Sequence, residues 1–218
     1  MHWQLGLATL ICSSFFLANT AKAQPVLLAD TGNYYQLVNT SLTWEEANQA
    51  ATSMIFMGAS GHLATITSQE ENDFVQSLLV PGSSGSWIGL FQESGAAEPA
   101  GGFGWVTDED LVFDNFGVFE PNNNSGDPLN PNEEFVHILP SGTWNDLNSS
   151  FTLSFVVEFE PVLVLGDASM DGVVDSFDIQ PFITVLSAQT FQAEADIDGN
   201  GDVDFFDIEP FIGLLSGQ

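Results

Sequence analysis

Residues 120–146 of this chain read EPNNNSGDPLNPNEEFVHILPSGTWND. Oxygen-bearing side chains recur through this stretch at five positions, namely Glu120, Asn122, Glu133, Asn145 and Asp146. Carboxylate and amide oxygens are the ligands that calcium prefers, and the ion takes about six to eight of them. The pattern therefore predicts that these side chains share one calcium ion.

A calcium ion bound at such a shallow site keeps coordination positions open. Two vicinal hydroxyls of a sugar can fill these positions while they form hydrogen bonds with the same carboxylate and amide groups. A cis peptide bond between Glu120 and Pro121 would turn the oxygens of Glu120 and Asn122 the same way. We therefore expect a glycan as the ligand. The alternative is that the domain has its fold but the site binds no ligand.

Helix and strand signals surround this stretch. Thr43–Glu46 and Ser68–Glu71 both have the sequence of a capping box, so each predicts the start of a helix. Between them, His62–Ile66 alternates in the manner of a strand. Further strand-like pieces are Trp87–Leu90, Phe135–Leu139 and Phe151–Phe159. These signals predict an α+β domain over residues 24–161.

This block resembles the C-type lectin-like domain. Trp87–Leu90 matches the WIGL motif of that family, Trp44–Ala47 matches its first helix, and Trp144–Asp146 matches its WND strand. The resemblance implies two helices, small antiparallel sheets and a long loop region. It also implies that a Glu-Pro-Asn site binds mannose-type sugars.

The disulfides of that family are absent here. The resemblance places its four conserved cysteines at Ala51, Phe135, Ser149 and Val157, whereas the only cysteine of this chain is Cys12. Since the replacements are mostly apolar, we expect Ala51 to pack on Val157 and core burial to compensate in part.

Residues 166–218 contain an internal repeat, in which FDIQPFITVLS at Phe177 is followed 29 residues later by FDIEPFIGLLS at Phe206. Each copy begins with a loop that has oxygen-bearing side chains at positions 1, 3, 5, 9 and 12 and glycine at position 6. This spacing is typical of a calcium-binding loop, in which the backbone carbonyl of position 7 also contributes. The predicted ligands are Asp167, Ser169, Asp171, Val173, Asp175 and Asp178 in the first loop, and Asp196, Asp198, Asn200, Asp202, Asp204 and Asp207 in the second.

An apolar face at helical spacing follows each loop, so we expect helices to begin close to Asp178 and Asp207. The repeat resembles a type I dockerin, joined to the first domain by a linker at 162–165. The resemblance implies a small all-α domain of paired calcium loops that docks onto a cohesin-like or other docking protein. Positions 10 and 11 hold Ser176–Phe177 and Phe205–Phe206, which favours a different partner or packing against the neighbouring domain.

Residues 1–23 read as a signal peptide, with an apolar run from Leu5 to Leu17 and a small-x-small pattern at Ala21–Ala23. The alternative is a membrane anchor, but the run is shorter than the roughly 20 residues that a spanning helix needs. We therefore expect a secreted or cell-surface protein with no membrane span in the mature chain.

Charge limits the remaining functions. The chain has 30 acidic residues and one basic residue, Lys22, with a formal net charge of −29. A nucleic-acid partner is not expected because phosphates would meet carboxylates without compensating cations. An enzyme is not expected, although a glycoside hydrolase with two carboxylates is the third hypothesis.

The leading hypothesis is an exported calcium-dependent carbohydrate-binding protein with a dockerin-like tether. The alternative is a structural or assembly protein with a degenerate lectin fold that makes protein–protein contacts.

Overall fold

The computed structural model of the chain describes residues 24–126 and 132–217. The predicted signal peptide at residues 1–23 lies outside them. Within the described ranges, no helix has both the length and the apolar character that crossing a membrane requires. The strands are β1 (Val26–Leu27), β2 (Tyr34–Leu42), β3 (Ile55–Phe56), β4 (Ala59–Ser60), β5 (His62–Leu63), β6 (Ser86–Gln92), β7 (Phe103–Trp105), β8 (Phe135–Ile138), β9 (Trp144–Leu147) and β10 (Leu153–Phe159). The helices are α1 (Trp44–Thr52), α2 (Gln69–Leu78), α3 (Ile179–Ala188) and α4 (Ile208–Ser216).

Eight of these strands form one sheet, in the order β1-β2-β10-β6-β8-β9, with β5 paired to β10 and β7 paired to β6. Strands β6 and β10 run parallel, with Trp87 opposite Phe155. The hydroxyls of Ser86 and Ser154 form a 2.7 Å hydrogen bond across this pair. The family resemblance implied small antiparallel sheets, and the parallel β6–β10 pair within an eight-stranded sheet corrects this detail. Short alternating segments do not show which distant strands pair in parallel.

Helix α1 begins as the sequence predicts. The Thr43 hydroxyl accepts the backbone N–H of Glu46 at 3.3 Å, and the Glu46 carboxylate accepts the backbone N–H of Thr43 at 3.1 Å. These reciprocal bonds satisfy N–H groups that the first turn of a helix cannot pair internally. The buried face of α1 presents Trp44, Ala47 and Ala51 to the sheet.

Helix α2 begins with only half of the predicted capping box. The Ser68 hydroxyl accepts the backbone N–H of Glu71 at 3.2 Å. The Glu71 carboxylate instead accepts the backbone N–H of Thr67 at 2.6 Å and its hydroxyl at 2.8 Å. The Tyr35 hydroxyl lies 3.3 Å from the Glu71 carboxylate, but its single proton has a nearer acceptor in Glu158 at 2.7 Å. The two bonds from Thr67 therefore hold the Glu71 side chain away from the cap.

Strand β6 separates two apolar clusters because its successive side chains point to opposite faces. Trp87 lies in the cluster that contains Ala51 and Val157, both fully buried. Ile88 lies in the cluster that contains Trp144. Ala51 and Val157 therefore lie buried in the same core cluster, as packing of one on the other requires.

Residues 166–217 have a third apolar cluster of their own, in which the rings of Phe182 and Phe211 stack with centroids 4.1 Å apart. A 3-10 turn precedes each helix, and the helices begin at Ile179 and Ile208, as expected from the sequence.

Candidate functional site

Strand β9 carries the WND motif, and its first residue is fixed in the core. The Trp144 indole N–H donates to the side-chain oxygen of Asn72 in α2 at 2.8 Å. Trp144 is fully buried, and the rings of Trp105, Phe113 and Phe116 meet it edge to face. These contacts fix the position of Asp146, two residues further along the strand.

Asp146 joins strand β9 to the loop that contains the Glu-Pro-Asn motif. Its carboxylate accepts the backbone N–H of Asn122, at 3.2 Å to each oxygen, and that of Asn123 at 2.9 Å. Asp146 itself is fully buried. The bond between Glu120 and Pro121 is cis, and the Asn122 side-chain amide donates to the Glu120 carboxylate.

Glu133 joins the same loop from the other side of residues 127–131, which lie outside the described residues. Its carboxylate accepts the backbone N–H of Asn124 at 2.7 Å, and its own N–H donates to the side-chain oxygen of Asn123 at 2.7 Å. Asn123 was not among the predicted ligands. Its structural role is to link Asp146 and Glu133, and no sequence spacing indicated it.

The three carboxylates of this site repel one another. Burial, together with the charges of Asp146 and Glu133, raises the pKa of Glu120 to about 7. Burial also raises the pKa of Glu133, and the charge of Asp146 adds to the increase. The hydrogen bond from the Asn124 N–H lowers this pKa and offsets part of the increase. A site of this kind has an excess of negative charge that a divalent cation can neutralise.

Asn145 differs from the other predicted ligands. Its side-chain amide donates to the backbone carbonyl of Asp146 at 2.6 Å and lies 3.2 Å from the Nε2 atom of His137. Because neighbouring side chains of a strand point to opposite faces, Asn145 and Asp146 diverge. The structure thus links Glu120, Asn122, Glu133 and Asp146 to one another, whereas the Asn145 amide pairs with a buried histidine of β8.

A family model for the lectin C-type domain matches residues 40–159, more than half of the chain. The chain belongs to the C-type lectin domain family. The matched residues include α1, α2, strands β3 to β10 and every predicted ligand of the Glu120–Asp146 site.

Individual relatives agree with this assignment. Rat asialoglycoprotein receptor 2 is 33% identical over 149 residues, which are 66% of this chain and 45% of the receptor. The α-N-acetylgalactosamine-specific lectin of Patiria pectinifera is 28% identical over 133 residues, which are 57% of this chain and 73% of that lectin. The chain thus spans less than half the length of the receptor. The crystal structure of the C-type lectin CEL-I from Cucumaria echinata has a TM-score of 0.53 at 19% identity and covers 65% of this chain and 99% of that one, a likeness of fold.

The first loop of the repeat lies beyond the matched lectin domain, and its carboxylates organise the backbone. Each end of the loop has a buried aspartate, Asp167 or Asp178. Asp167 accepts the backbone N–H groups of Asp171 at 3.1 Å and Gly172 at 2.7 Å. Asp178 accepts those of Ser169 at 2.8 Å and Asp175 at 2.7 Å.

The second loop repeats this arrangement 29 residues later. Asp196 accepts the backbone N–H groups of Asn200 at 3.1 Å and Gly201 at 2.9 Å. Asp207 accepts those of Asp198 at 3.1 Å and Asp204 at 2.8 Å. The two loops therefore have the same arrangement of backbone hydrogen bonds to aspartate.

The remaining loop positions have local partners. The carboxylates of Asp175 and Asp204 cap the 3-10 turns by accepting the N–H groups of Phe177 and Phe206, each at 2.7 Å. Position 5 accepts the N–H of position 7, as Asp171 does from Val173 at 2.9 Å and Asn200 from Asp202 at 2.8 Å.

Acidic ligand atoms converge most closely in the second loop. Oxygens of Asp196, Asp198 and Asp207 lie within 4.8 Å of one another, and no other such group of three occurs among the residues that the structure describes. The first loop has Ser169 where the second has Asp198, which explains why its acids do not form the same cluster.

Proposed function

We propose that this protein binds glycans through a calcium ion held at the Glu120–Asp146 site. The main support is the fully buried Asp146 carboxylate, which accepts two backbone N–H groups of the Glu-Pro-Asn loop and faces Glu120 and Glu133. All atoms of the site that could ligate a metal are oxygens, which fits a hard cation such as calcium. The ion would supply coordination positions for sugar hydroxyls.

Each residue has a separate task in this proposal. Asp146 holds the loop, and Glu120 and Asn122 form the outer edge that receives the hydroxyls. Glu133 closes the site beside Asn124. The Glu-Pro-Asn order leads us to propose mannose-type sugars with vicinal equatorial hydroxyls. The names of two relatives, asialoglycoprotein receptor 2 and α-N-acetylgalactosamine-specific lectin, support a sugar as the class of ligand.

Retention on mannose resin, followed by elution with EDTA, tests this function. We expect retention in calcium and release when the chelator is added. The double variant Asn145→Ala/Asp146→Ala should pass through the column although it remains folded. Retention that survives chelation, or a lack of retention on every glycan tried, would contradict the proposal.

We further propose that residues 1–23 direct export and that residues 166–218, after a linker at 162–165, form a dockerin-like tether that binds calcium. The separate apolar cluster of the repeat and the equivalent hydrogen bonds of its two loops support the tether. Calorimetric titration with calcium should detect three sites in the whole mature chain and one fewer after Asp207→Ala. An unchanged count in that variant would contradict the second loop site.

A second candidate function is assembly with another protein. It is favoured by Phe177, Phe205 and Phe206, whose side chains are 75%, 76% and 68% exposed on the repeat. The Asn145→Ala/Asp146→Ala variant separates the two candidates, because assembly should persist in it while sugar binding is lost.

A further inference from the structure

A β-turn with two exposed apolar side chains precedes the Glu-Pro-Asn motif. The backbone N–H of Glu120 donates to the carbonyl of Gly117 at 3.0 Å, which places Val118 and Phe119 at the two corner positions. Their side chains are 84% and 89% exposed. Contiguous exposed apolar surface rimmed by polar residues marks ligand-binding sites, and these two side chains are neighbours on one turn.

The backbone of Phe119 has a conformation that disfavours an aromatic side chain. Its φ angle is 76°, in the left-handed region. At the third position of a turn this conformation is usually adopted by glycine or asparagine, and a bulky residue there strains the backbone. The fold therefore keeps an exposed phenyl ring where glycine would be more stable.

The turn is attached to both halves of the candidate sugar site. The Gly117 N–H donates to the backbone carbonyl of Trp144 at 2.8 Å, directly before Asn145 in strand β9. Phe116 forms a β-bridge with Trp144, and its ring packs on that indole. The other end of the turn is Glu120 itself. The backbone of Phe119 is thus anchored at the edge of the site.

We propose that Phe119 is an apolar platform that contacts the C–H face of a second sugar residue, next to the residue bound at calcium. This inference rests on the proposed function and names its ligand class, a neutral oligosaccharide. Pyranose rings have apolar C–H faces, and aromatic side chains provide flat apolar surface with little loss of conformational entropy. The net charge of −29 disfavours acidic glycans.

Calorimetry in calcium with methyl α-mannoside and with a mannose disaccharide tests the platform. We expect the wild-type protein to bind the disaccharide about fivefold more tightly than the monosaccharide. In Phe119→Gly this advantage should disappear while the monosaccharide affinity stays within about twofold of wild type. Phe119→Trp should keep the advantage. Because glycine accepts a positive φ, Phe119→Gly should melt no lower than the wild-type protein.

Asp108→Gly is the matched control, since exposed Asp108 also has a positive φ of 61° but lies outside the site. It should relieve backbone strain and leave both affinities unchanged. Equal losses for both sugars in Phe119→Gly would overturn the platform, because Phe119 would then position Glu120. Unchanged affinities would overturn it too. The same holds if Phe119→Gly weakens binding to phosphatidylcholine vesicles but not to sugars, because Phe119 would then contact lipid. Failure of the wild-type protein to bind any sugar would overturn the proposed function together with this inference.

Discussion

The backbone N–H of Asn122 donates to both carboxylate oxygens of Asp146, at 3.2 Å each, so one buried side chain orients the whole Glu-Pro-Asn loop. Asp146→Asn replaces one of these acceptors with a donor and removes a charge. We expect calcium affinity at this site to fall at least about a hundredfold, because the substitution weakens the hydrogen bonds that hold the loop and also removes a negative charge beside the ion. Calorimetry with calcium measures the change. Asp30→Asn removes the same charge from an exposed position and should have no effect on affinity.

The parts of the site that could be predicted from the sequence are those set by short spacing. The Thr43–Glu46 capping box is a local pattern, and the structure forms it with both expected hydrogen bonds. The two repeat loops are local patterns as well, and their first aspartates accept equivalent backbone N–H groups. The orientation of Asn145 could not be predicted, because it depends on His137 of the neighbouring strand.

Hydrogen-bond partners from distant parts of the chain explain the other differences between the predicted and the observed structure. Glu71 leaves the predicted cap because Thr67 donates to it through both its N–H and its hydroxyl, and Tyr35, from a distant strand, lies 3.3 Å away. His62–Ile66 forms a strand only at its first two residues. Beyond them, the N–H of Thr65 donates to the Glu158 carboxylate at 2.8 Å instead of to a backbone carbonyl. No pattern in the sequence identifies a side chain as the partner.

The two repeat loops differ at position 3, which gives a reciprocal prediction. Ser169→Asp adds a carboxylate to the first loop, while Asp198→Ser removes the equivalent one from the second. Since ligand charge tunes the affinity of such loops, calcium should bind about tenfold more tightly in the first variant and about tenfold more weakly in the second. Calcium titration of the whole chain separates the sites. Equal affinities in the two variants and the wild-type protein would show that position 3 does not contact the ion.

Glu158 in β10 predicts a pH dependence of folding. It is almost fully buried and accepts the Tyr35 hydroxyl at 2.7 Å and the Asn33 side-chain amide at 2.9 Å. Burial raises the pKa of Glu158 from 4.5 to about 7. The folded state therefore binds an additional proton between these pH values, and the contribution of Glu158 to stability falls as the pH rises through this window.

Glu158→Gln removes this titration. From pH 4.5 to pH 7, the wild-type protein should lose up to about 3 kcal/mol of unfolding free energy relative to the variant. Urea unfolding in calcium-free buffer at several pH values measures the difference. Exposed Glu109→Gln should follow the wild-type curve. A constant difference between wild type and Glu158→Gln across this range would contradict a raised pKa.

Gly172 and Gly201 occupy position 6 of the two loops and form a matched pair. Both have strongly positive φ angles, 90° and 94°. A Cβ atom on Gly172 would lie 2.8 Å from the α-carbon of Gly58, in the turn between β3 and β4 of the lectin domain, whereas a Cβ on Gly201 meets nothing within 4 Å. Alanine at either position strains the backbone by about 1–2 kcal/mol, but only Gly172→Ala also pushes against the lectin domain.

We therefore expect Gly172→Ala to lower the stability of the repeat by at least about 1 kcal/mol more than Gly201→Ala does, measured by calorimetric unfolding of the whole chain. Gly58→Ala tests the same contact from the other side, because its Cβ would lie 2.6 Å from the α-carbon of Gly172. Once one alanine has separated the two backbones, the second should cost little more at that contact. The Gly58→Ala/Gly172→Ala double variant should thus be less destabilised than the sum of the single variants. Strict additivity would mean that the two turns do not touch in solution.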